Sequence, residues 1–203
     1  MAELIHRYSP YNKEYLAVAA DERIKHKDFF ELKSLYMLLH EWLVEEGWAP
    51  RNDANFPERL YLHRFTQQLG QELWVWWRLS KELNNYYKWD LDIDWHIIGL
   101  KETEVMHDGV KYKANFGEVE FKVYAKMISD HKGEWRKHWL LKHFQNLYWK
   151  GIYWQDFQMH KIELLREVQR MFDAIKVYCK LKTYLPEPEG QRFYLKKDRS
   201  LEG

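Results

Sequence analysis

The chain has 203 residues, of which 46% are apolar and 31% are charged. This composition supplies enough apolar surface for a core, so it excludes a disordered chain and indicates one globular domain. The 32 Lys and Arg residues almost balance the 31 Asp and Glu residues, which excludes a polyanion binder that works by bulk charge. The apolar runs fall far short of the roughly 18 to 20 residues that cross a bilayer, so we expect no membrane span.

The two ends and the cysteine content set further expectations. The first ten residues contain no apolar signal segment, so we expect a cytoplasmic protein. The one cysteine, Cys179, lies in an apolar helical pattern and is expected to be a small buried side chain. Residues 1–185 are predicted to form a single domain, and residues 186–203 a flexible polar tail.

Large aromatic side chains are the unusual feature of the composition. They make up 17% of the chain, with 11 Trp and 14 Tyr residues spread along its length. Such side chains fill cores, but they also form protein interfaces and stacking surfaces for bases. Composition alone favours the core.

In chain order, the first predicted element is a short helix over residues 13–23. A stronger helical pattern runs from Asp28 to Glu46, where Asp28 is the expected N-cap and Glu31 follows three residues later. Apolar residues recur at helical spacing through this segment, and Gly47 is suited to end it.

Between residues 59 and 127 the apolar period changes from 3.6 to 2, which predicts strands with one apolar and one polar face. Four or five antiparallel strands are expected, joined as a meander because the connections are short. Asn84-Asn85 and Asp108-Gly109 predict tight turns between strands.

The helical period returns after Gly133 and predicts two C-terminal helices. The first carries apolar residues from Trp135 to Tyr148, and the second runs from about Trp154 to Leu185. The predicted fold class is therefore α+β. It combines an N-terminal helix, an antiparallel meander of four to five strands and two C-terminal helices, the last one long, packed on the sheet.

Polar residues on two of the predicted strands are candidates for chemistry. Asp90, Asp92 and Asp94 alternate along one strand and project to one side, as Glu120 and Lys122 do in a later strand. An Asp on one strand and Glu-x-Lys on another resembles the PD-(D/E)XK nuclease superfamily. The resemblance implies Asp94, Glu120 and Lys122 as catalytic residues and Asp90, Asp92 and Asp94 as metal ligands. A salt-bridged sheet face is the competing interpretation, and we favour it.

Other catalytic motifs are missing from the sequence. Its ten His residues include no His-Glu-x-x-His, and no glycine-rich phosphate loop occurs. His63 and His96 could approach each other across strands, but a half-buried His that is hydrogen-bonded to the backbone is the favoured interpretation.

The C-terminal helices offer a second candidate surface. Residues 131–182 contain more than twice as many Lys and Arg as Asp and Glu, interleaved with aromatic residues. Such a pattern can bind a phosphate backbone and stack on bases. The basic residues that would do so are Arg136, Lys137 and Lys142.

Our leading hypothesis is a non-enzymatic interaction or assembly protein that associates with itself through an aromatic surface. The expected partner is a second copy or another protein, with nucleic acid as the alternative partner and a metal-dependent nuclease as the third hypothesis. We expect no cofactor. The candidate contact residues are Trp74 and Trp76 on the second strand and Trp149, Tyr153 and Trp154 between the C-terminal helices.

Overall fold

The computed structural model describes residues 16–67, 70–107, 110–141 and 154–184. Five strands form one antiparallel sheet, and helices pack on one of its faces, so the predicted α+β class is confirmed. No described helix is long and apolar enough to cross a membrane. The elements are β1 (Leu16–Phe30), α1 (Leu32–Glu45), a 3-10 helix (Asp53–Asn55), β2 (Glu58–Thr66), β3 (Gly70–Glu82), β4 (Tyr87–His107), β5 (Val110–Ser129), α2 (Glu134–Lys137) and α3 (Trp154–Tyr184).

The strands lie in the order β1-β5-β4-β3-β2. Strands β2 to β5 form the predicted meander, with Asn84 in the turn between β3 and β4, where its Oδ1 accepts hydrogen bonds from the backbone N–H groups of Tyr86 and Tyr87. Strand β1 completes the sheet beside β5, so the first described strand pairs with the last. The two edges of the sheet are therefore β1 and β2.

The N-terminal part differs from the sequence prediction. The predicted helix over residues 13–23 is wrong from Leu16 onward, because these residues form β1 and pair with β5. Asp28 also lies in this strand, and α1 begins later, with Glu31 as its N-cap residue. Asn115 of β5 supplies the cap, since its Oδ1 accepts a hydrogen bond from Leu32 N at 3.2 Å. Strand pairing outweighs local helix preference here.

The C-terminal part confirms one long helix, not two. Helix α3 is the predicted long helix, whereas the other predicted helix is described only as the short α2. His138 ends α2 in an extended conformation, and its Nδ1 accepts hydrogen bonds from the backbone N–H groups of Leu140 and Leu141, which replace helical bonds. Trp139, expected in a buried stripe, is 74% exposed. Residues 142–150 and 186–203 lie outside the described part.

The core lies on the inner face of the sheet, which we define as the face covered by α1 and α3. The predicted alternation is confirmed there, because Trp77, Trp89 and Trp95 are all fully buried. Tyr36 of α1 packs edge-on against Trp77, with ring centroids 5.2 Å apart. Much of the aromatic content thus belongs to the core, as the composition favours.

A bulge at Gly99 shapes one end of the sheet. The pairing of β4 with β5 shifts between Ile98 and Lys101, and Gly99 takes a φ of 66° that favours glycine. Opposite the bulge, a Cβ added to Gly117 would lie 3.2 Å from the carbonyl oxygen of Ile98. Strand β3 begins here, since its first pair with β4 joins Gln71 to Leu100. Beyond this point, β5 is the only described strand that pairs with β4.

A buried carboxylate ties α3 to the rest of the domain. Glu167 Oε2 accepts a hydrogen bond from Trp48 Nε1 at 2.8 Å, and its Oε1 lies 3.3 Å from Lys81 Nζ. Lys81 Nζ also donates to the backbone oxygen of Glu46 at 3.0 Å and lies over the ring of Trp89. One cluster therefore joins α3, the end of α1 and β3.

Replacing Glu167 with Ala is expected to lower the free energy of unfolding by about 3 kcal/mol, because it removes the acceptor of the Trp48 N–H and the carboxylate that compensates the Lys81 ammonium. Glu167→Gln keeps an oxygen for Trp48 and should lose less. Urea unfolding followed by far-UV circular dichroism measures both. Gln169→Ala, at an exposed position of α3, is the control and should change stability by less than about 0.5 kcal/mol. Equal stability of the Glu167→Ala and Gln169→Ala proteins would contradict the role of the cluster.

Candidate functional site

The face of the sheet opposite the helices, called the outer face, collects the polar residues of the predicted strands. Residues directly opposite each other in neighbouring antiparallel strands share a face. The register therefore places Trp76, Asp94 and Lys122 in one row across β3, β4 and β5. The next row holds Trp74, His96 and Glu120. The outward orientation predicted from the alternation is thus confirmed for the strand residues of both candidate groups.

Two of the candidate carboxylates share cations with each other. Arg78 Nη2 lies 2.7 Å from Asp94 Oδ1, and Arg78 Nε lies 3.7 Å from Asp92 Oδ1. Lys126 Nζ approaches Asp92 Oδ2 at 3.2 Å. Asp92 and Lys126 are only 6% and 4% exposed, although the sequence predicts a solvated face. Their charges are desolvated by neighbouring side chains, so each depends on the other for compensation.

Asp90 lies next to this pair of carboxylates, directly opposite Lys126 on β5. Lys88 Nζ lies 3.5 Å from Asp90 Oδ1, and burial raises the pKa of the Asp90 carboxyl above its usual range. Within the described residues, no group of three or more His, Cys, Asp or Glu side chains is arranged to hold a metal ion. Asp90, Asp92 and Asp94 thus share a face and a strand, and each lies within ion-pair distance of a cation, with Arg78 shared by Asp92 and Asp94.

The candidate catalytic residues lie on adjoining strands. Asp94 is directly opposite Lys122, and Glu120 lies two residues before it on β5. Glu120 is bound to the neighbouring strand, because Arg23 Nε lies 3.0 Å from its Oε1 and Lys25 Nζ 3.4 Å from its Oε2. The structure therefore brings the three residues to one face, while the two carboxylates pair with cations on opposite sides of Lys122.

An aromatic cluster occupies the part of the outer face nearest β2. The rings of Trp74 and His96 stack with centroids 3.6 Å apart. Glu72, which is 2% exposed, lies with its Oε1 3.9 Å from His96 Nε2, and its Oε2 accepts hydrogen bonds from both Nη2 and Nε of Arg64. Burial lowers the pKa of His96, while the nearby carboxylates of Glu72 and Glu120 oppose this shift. The structure favours a neutral imidazole.

Strand β2 continues this surface to the edge of the sheet. Leu62 lies opposite Trp74, and β2 pairs with β3 alone among the described strands. Leu62 is 45% exposed, Tyr61 56% and Phe65 74%, so apolar side chains are exposed on both faces of the strand. We define the β2 edge surface as Leu60, Tyr61, Leu62, Phe65, Trp74 and Trp76.

The opposite edge has a different character. Four consecutive outward residues of β1 are charged, namely Asp21, Arg23, Lys25 and Lys27, and the apolar Val18 and Phe29 flank them. Charges along an edge strand are a common protection against pairing with another chain. The outward residues of β2 opposite β3 are Leu60, Leu62 and Arg64, so this edge carries fewer outward charges than β1.

The remaining predicted contact residues are not brought to this surface. Trp154, 51% exposed, begins α3 on the other side of the sheet from Trp74 and Trp76, and it stacks on Phe157. Lys137 is exposed in α2. The Arg136 side chain and residues Lys142, Trp149 and Tyr153 lie outside the described part, so their predicted role stays a prediction.

The sequence pattern does not predict the ion-pair partners of several residues on the outer face. Arg64, Glu72, Arg78 and Lys126 hold the outer face together, but the alternation shows only that they point outward. Their partners depend on the register between strands. The alternative in which His63 approaches His96 does not occur, because His63 lies opposite Leu73 on the inner side of β2 whereas His96 lies on the outer face of β4.

The lowered pKa of His96 is open to direct measurement by NMR titration of its ring protons, assigned with His96→Gln. We expect a midpoint below the ordinary value of about 6.5. Trp74→Ala exposes the ring and should raise the midpoint, whereas Glu72→Gln removes an opposing carboxylate and should lower it further. The unfolded state binds a proton on His96 at a higher pH than the folded state does. The stability that the neutral His96 ring contributes is therefore complete above about pH 6.5 and decreases as the pH falls through the lowered pKa of the folded protein. A midpoint above 6.5 would contradict the buried neutral state.

Neither a protein-family model nor a curated protein matches the chain. The properties of the outer face must therefore follow from its own residues. These are ion-paired carboxylates in the middle, an aromatic cluster beside them, and an apolar edge strand at one side.

Proposed function

We propose that this protein is a non-enzymatic assembly protein that associates with itself through the β2 edge surface. The observation that carries this proposal is the exposure of Tyr61, Leu62 and Phe65 on an edge strand with fewer outward charges than β1. Aromatic and aliphatic side chains at the centre of an interface supply most of its binding energy.

Pairing between two edge strands would also give hydrogen-bond partners to their backbone groups. An edge strand presents N–H and C=O groups that a second strand can bind, as in β-strand addition. Two copies of β2 in antiparallel orientation use the same surface on both subunits, which closes a two-fold dimer. In such a pair centred on Leu62, that residue lies beside its own copy and extends the apolar surface of Trp74 and Trp76.

The charges of β2 are compatible with this arrangement. Arg64 is already paired with the buried Glu72, with 2.6 Å between Nη2 and Oε2. In a pair centred on Leu62, Arg64 lies opposite Leu60 of the second copy, so the two arginines do not face each other. The desolvation of Arg64 on association is therefore partly compensated within its own subunit.

The ion pairs favour assembly over the metal-dependent nuclease. A carboxylate that binds a divalent cation needs an oxygen available to the metal. In this protein Asp92 and Asp94 contact Arg78, and Glu120 contacts Arg23 and Lys25. These contacts support a structural role for the acidic residues of the outer face.

Leu62→Lys tests the proposal by placing a charge at the centre of the β2 edge. Light scattering coupled to size exclusion should show a dimer of the 25.2 kDa wild-type chain and at least about tenfold weaker association of the variant. Val18→Lys is the matched control, because Val18 is 40% exposed on the opposite edge strand, and it should leave association unchanged. A wild-type chain that stays monomeric at all concentrations, or equal effects of both variants, would refute the edge contact.

Cross-linking can locate the contact in the strand. Cys179 is 5% exposed and burial raises its pKa to about 11, so its thiol reacts slowly. Leu62→Cys should therefore give a disulfide-linked dimer under mild oxidation, since directly opposite Cβ atoms lie about 4.5 to 5.5 Å apart. Val18→Cys should not. Comparison with Tyr61→Cys and His63→Cys reports the register, and a dimer formed equally by Val18→Cys would contradict pairing through β2.

A further inference from the structure

A second exposed surface lies at the other side of the outer face, where β1 and β5 reach the Gly99 bulge. Phe29 of β1 lies opposite Phe116 of β5, with ring centroids 5.1 Å apart. The two side chains are 40% and 36% exposed. They remain exposed because β3 does not extend to this row, so that only Lys101 of β4 lies beside Phe116.

Lysine side chains surround this pair of rings. Lys101 lies opposite Phe116, and Lys27 precedes Phe29 by two residues on the same face of β1. Lys122 lies on that face as well, six residues or about 20 Å beyond Phe116 along β5, and all three lysines are exposed. We define the aromatic–lysine surface as Lys27, Phe29, Lys101, Phe116 and Lys122.

The surface carries an excess of positive charge. Of the carboxylates that adjoin it, Asp94 lies 2.7 Å from Arg78, and Glu118 and Glu120 contact Lys25 and Arg23 at 3.0 to 3.4 Å. Among the described residues, no carboxylate lies within ion-pair distance of Lys27, Lys101 or Lys122. The chain as a whole has a formal charge of only +1, so the excess of positive charge is confined to this surface.

We propose that the aromatic–lysine surface binds single-stranded nucleic acid. Exposed aromatic rings stack on unpaired bases of any sequence, and cations beside them hold the phosphate backbone. Alternate residues of a strand lie about 6.6 to 6.8 Å apart, a spacing that an extended single strand can follow. Cations alone would also attract an acidic peptide, but the two exposed rings in their midst favour a partner with flat bases.

This surface is independent of the proposed self-association. It lies along β1 and β5, whereas the β2 edge surface lies at the other edge of the sheet. A dimer formed through β2 would leave it open. Loss of nucleic-acid binding and loss of dimerisation can therefore be observed separately.

Fluorescence anisotropy of the full chain with labelled oligo-dT and oligo-U of about 15 nucleotides tests the proposal. Binding should weaken as salt rises from about 50 to 200 mM. The triple variant Lys27→Gln, Lys101→Gln, Lys122→Gln should weaken binding and reduce the slope of log K against log salt by about 2. The control triple, Lys33→Gln, Lys132→Gln, Lys176→Gln, removes the same charge from exposed positions off this surface and should bind as the wild type does.

The rings are tested by Phe29→Leu with Phe116→Leu, which keeps apolar side chains and removes stacking. This variant should bind about fivefold or more weakly with an unchanged salt slope, while circular dichroism shows a native fold. Similar affinities for oligo-dT and oligo-U indicate recognition of bases and phosphates, whereas a preference for one identifies the natural class. Three results would overturn the proposal: no binding at low salt, equal losses in both lysine triples, or displacement by poly-glutamate with no effect of the leucine substitutions.

Discussion

Residues opposite each other in antiparallel strands must share one face of the sheet, and the architecture depends on this constraint. Along β3, β4 and β5 it sends Trp77, Trp89 and Trp95 beneath the helices and the acidic residues to the outer face. A shift of one residue in any pair would bury the carboxylates and expose the tryptophans. The bulge at Gly99 is where β4 changes its register, and it lies where β3 begins.

The outer face shows how a sheet can carry many charges without a solvated surface. Asp92, Lys126 and Glu120 are nearly as buried as core residues, and cations from the neighbouring strands compensate the carboxylates. Such pairs add little net stability relative to apolar residues, but breaking one leaves an unpaired charge. The same alternation that resembles a metal-dependent active site in the sequence is therefore used to hold strands in register.

The two edges of the sheet provide different surfaces. At β2, exposed apolar residues join a stack of Trp74 on His96, which suits association of like surfaces. At β1, lysines surround the pair of Phe29 and Phe116, which suits a polyanion with flat bases. The ion-paired residues in the middle of the outer face separate the two surfaces, so one subunit could bind a partner at each of them.

The sequence by itself determined the alternation of residues 59–127, with Trp77, Trp89 and Trp95 on one face and Asp90, Asp92, Asp94, Glu120 and Lys122 directed outward, because this follows from the period of a single strand. It also determined the long C-terminal helix. Only the tertiary structure decided that residues 16–30 form a strand, that Arg78 pairs with Asp94, and that Phe29 meets Phe116. These contacts join segments distant in the chain, and their register depends on the packing of the whole sheet, which a local pattern does not specify.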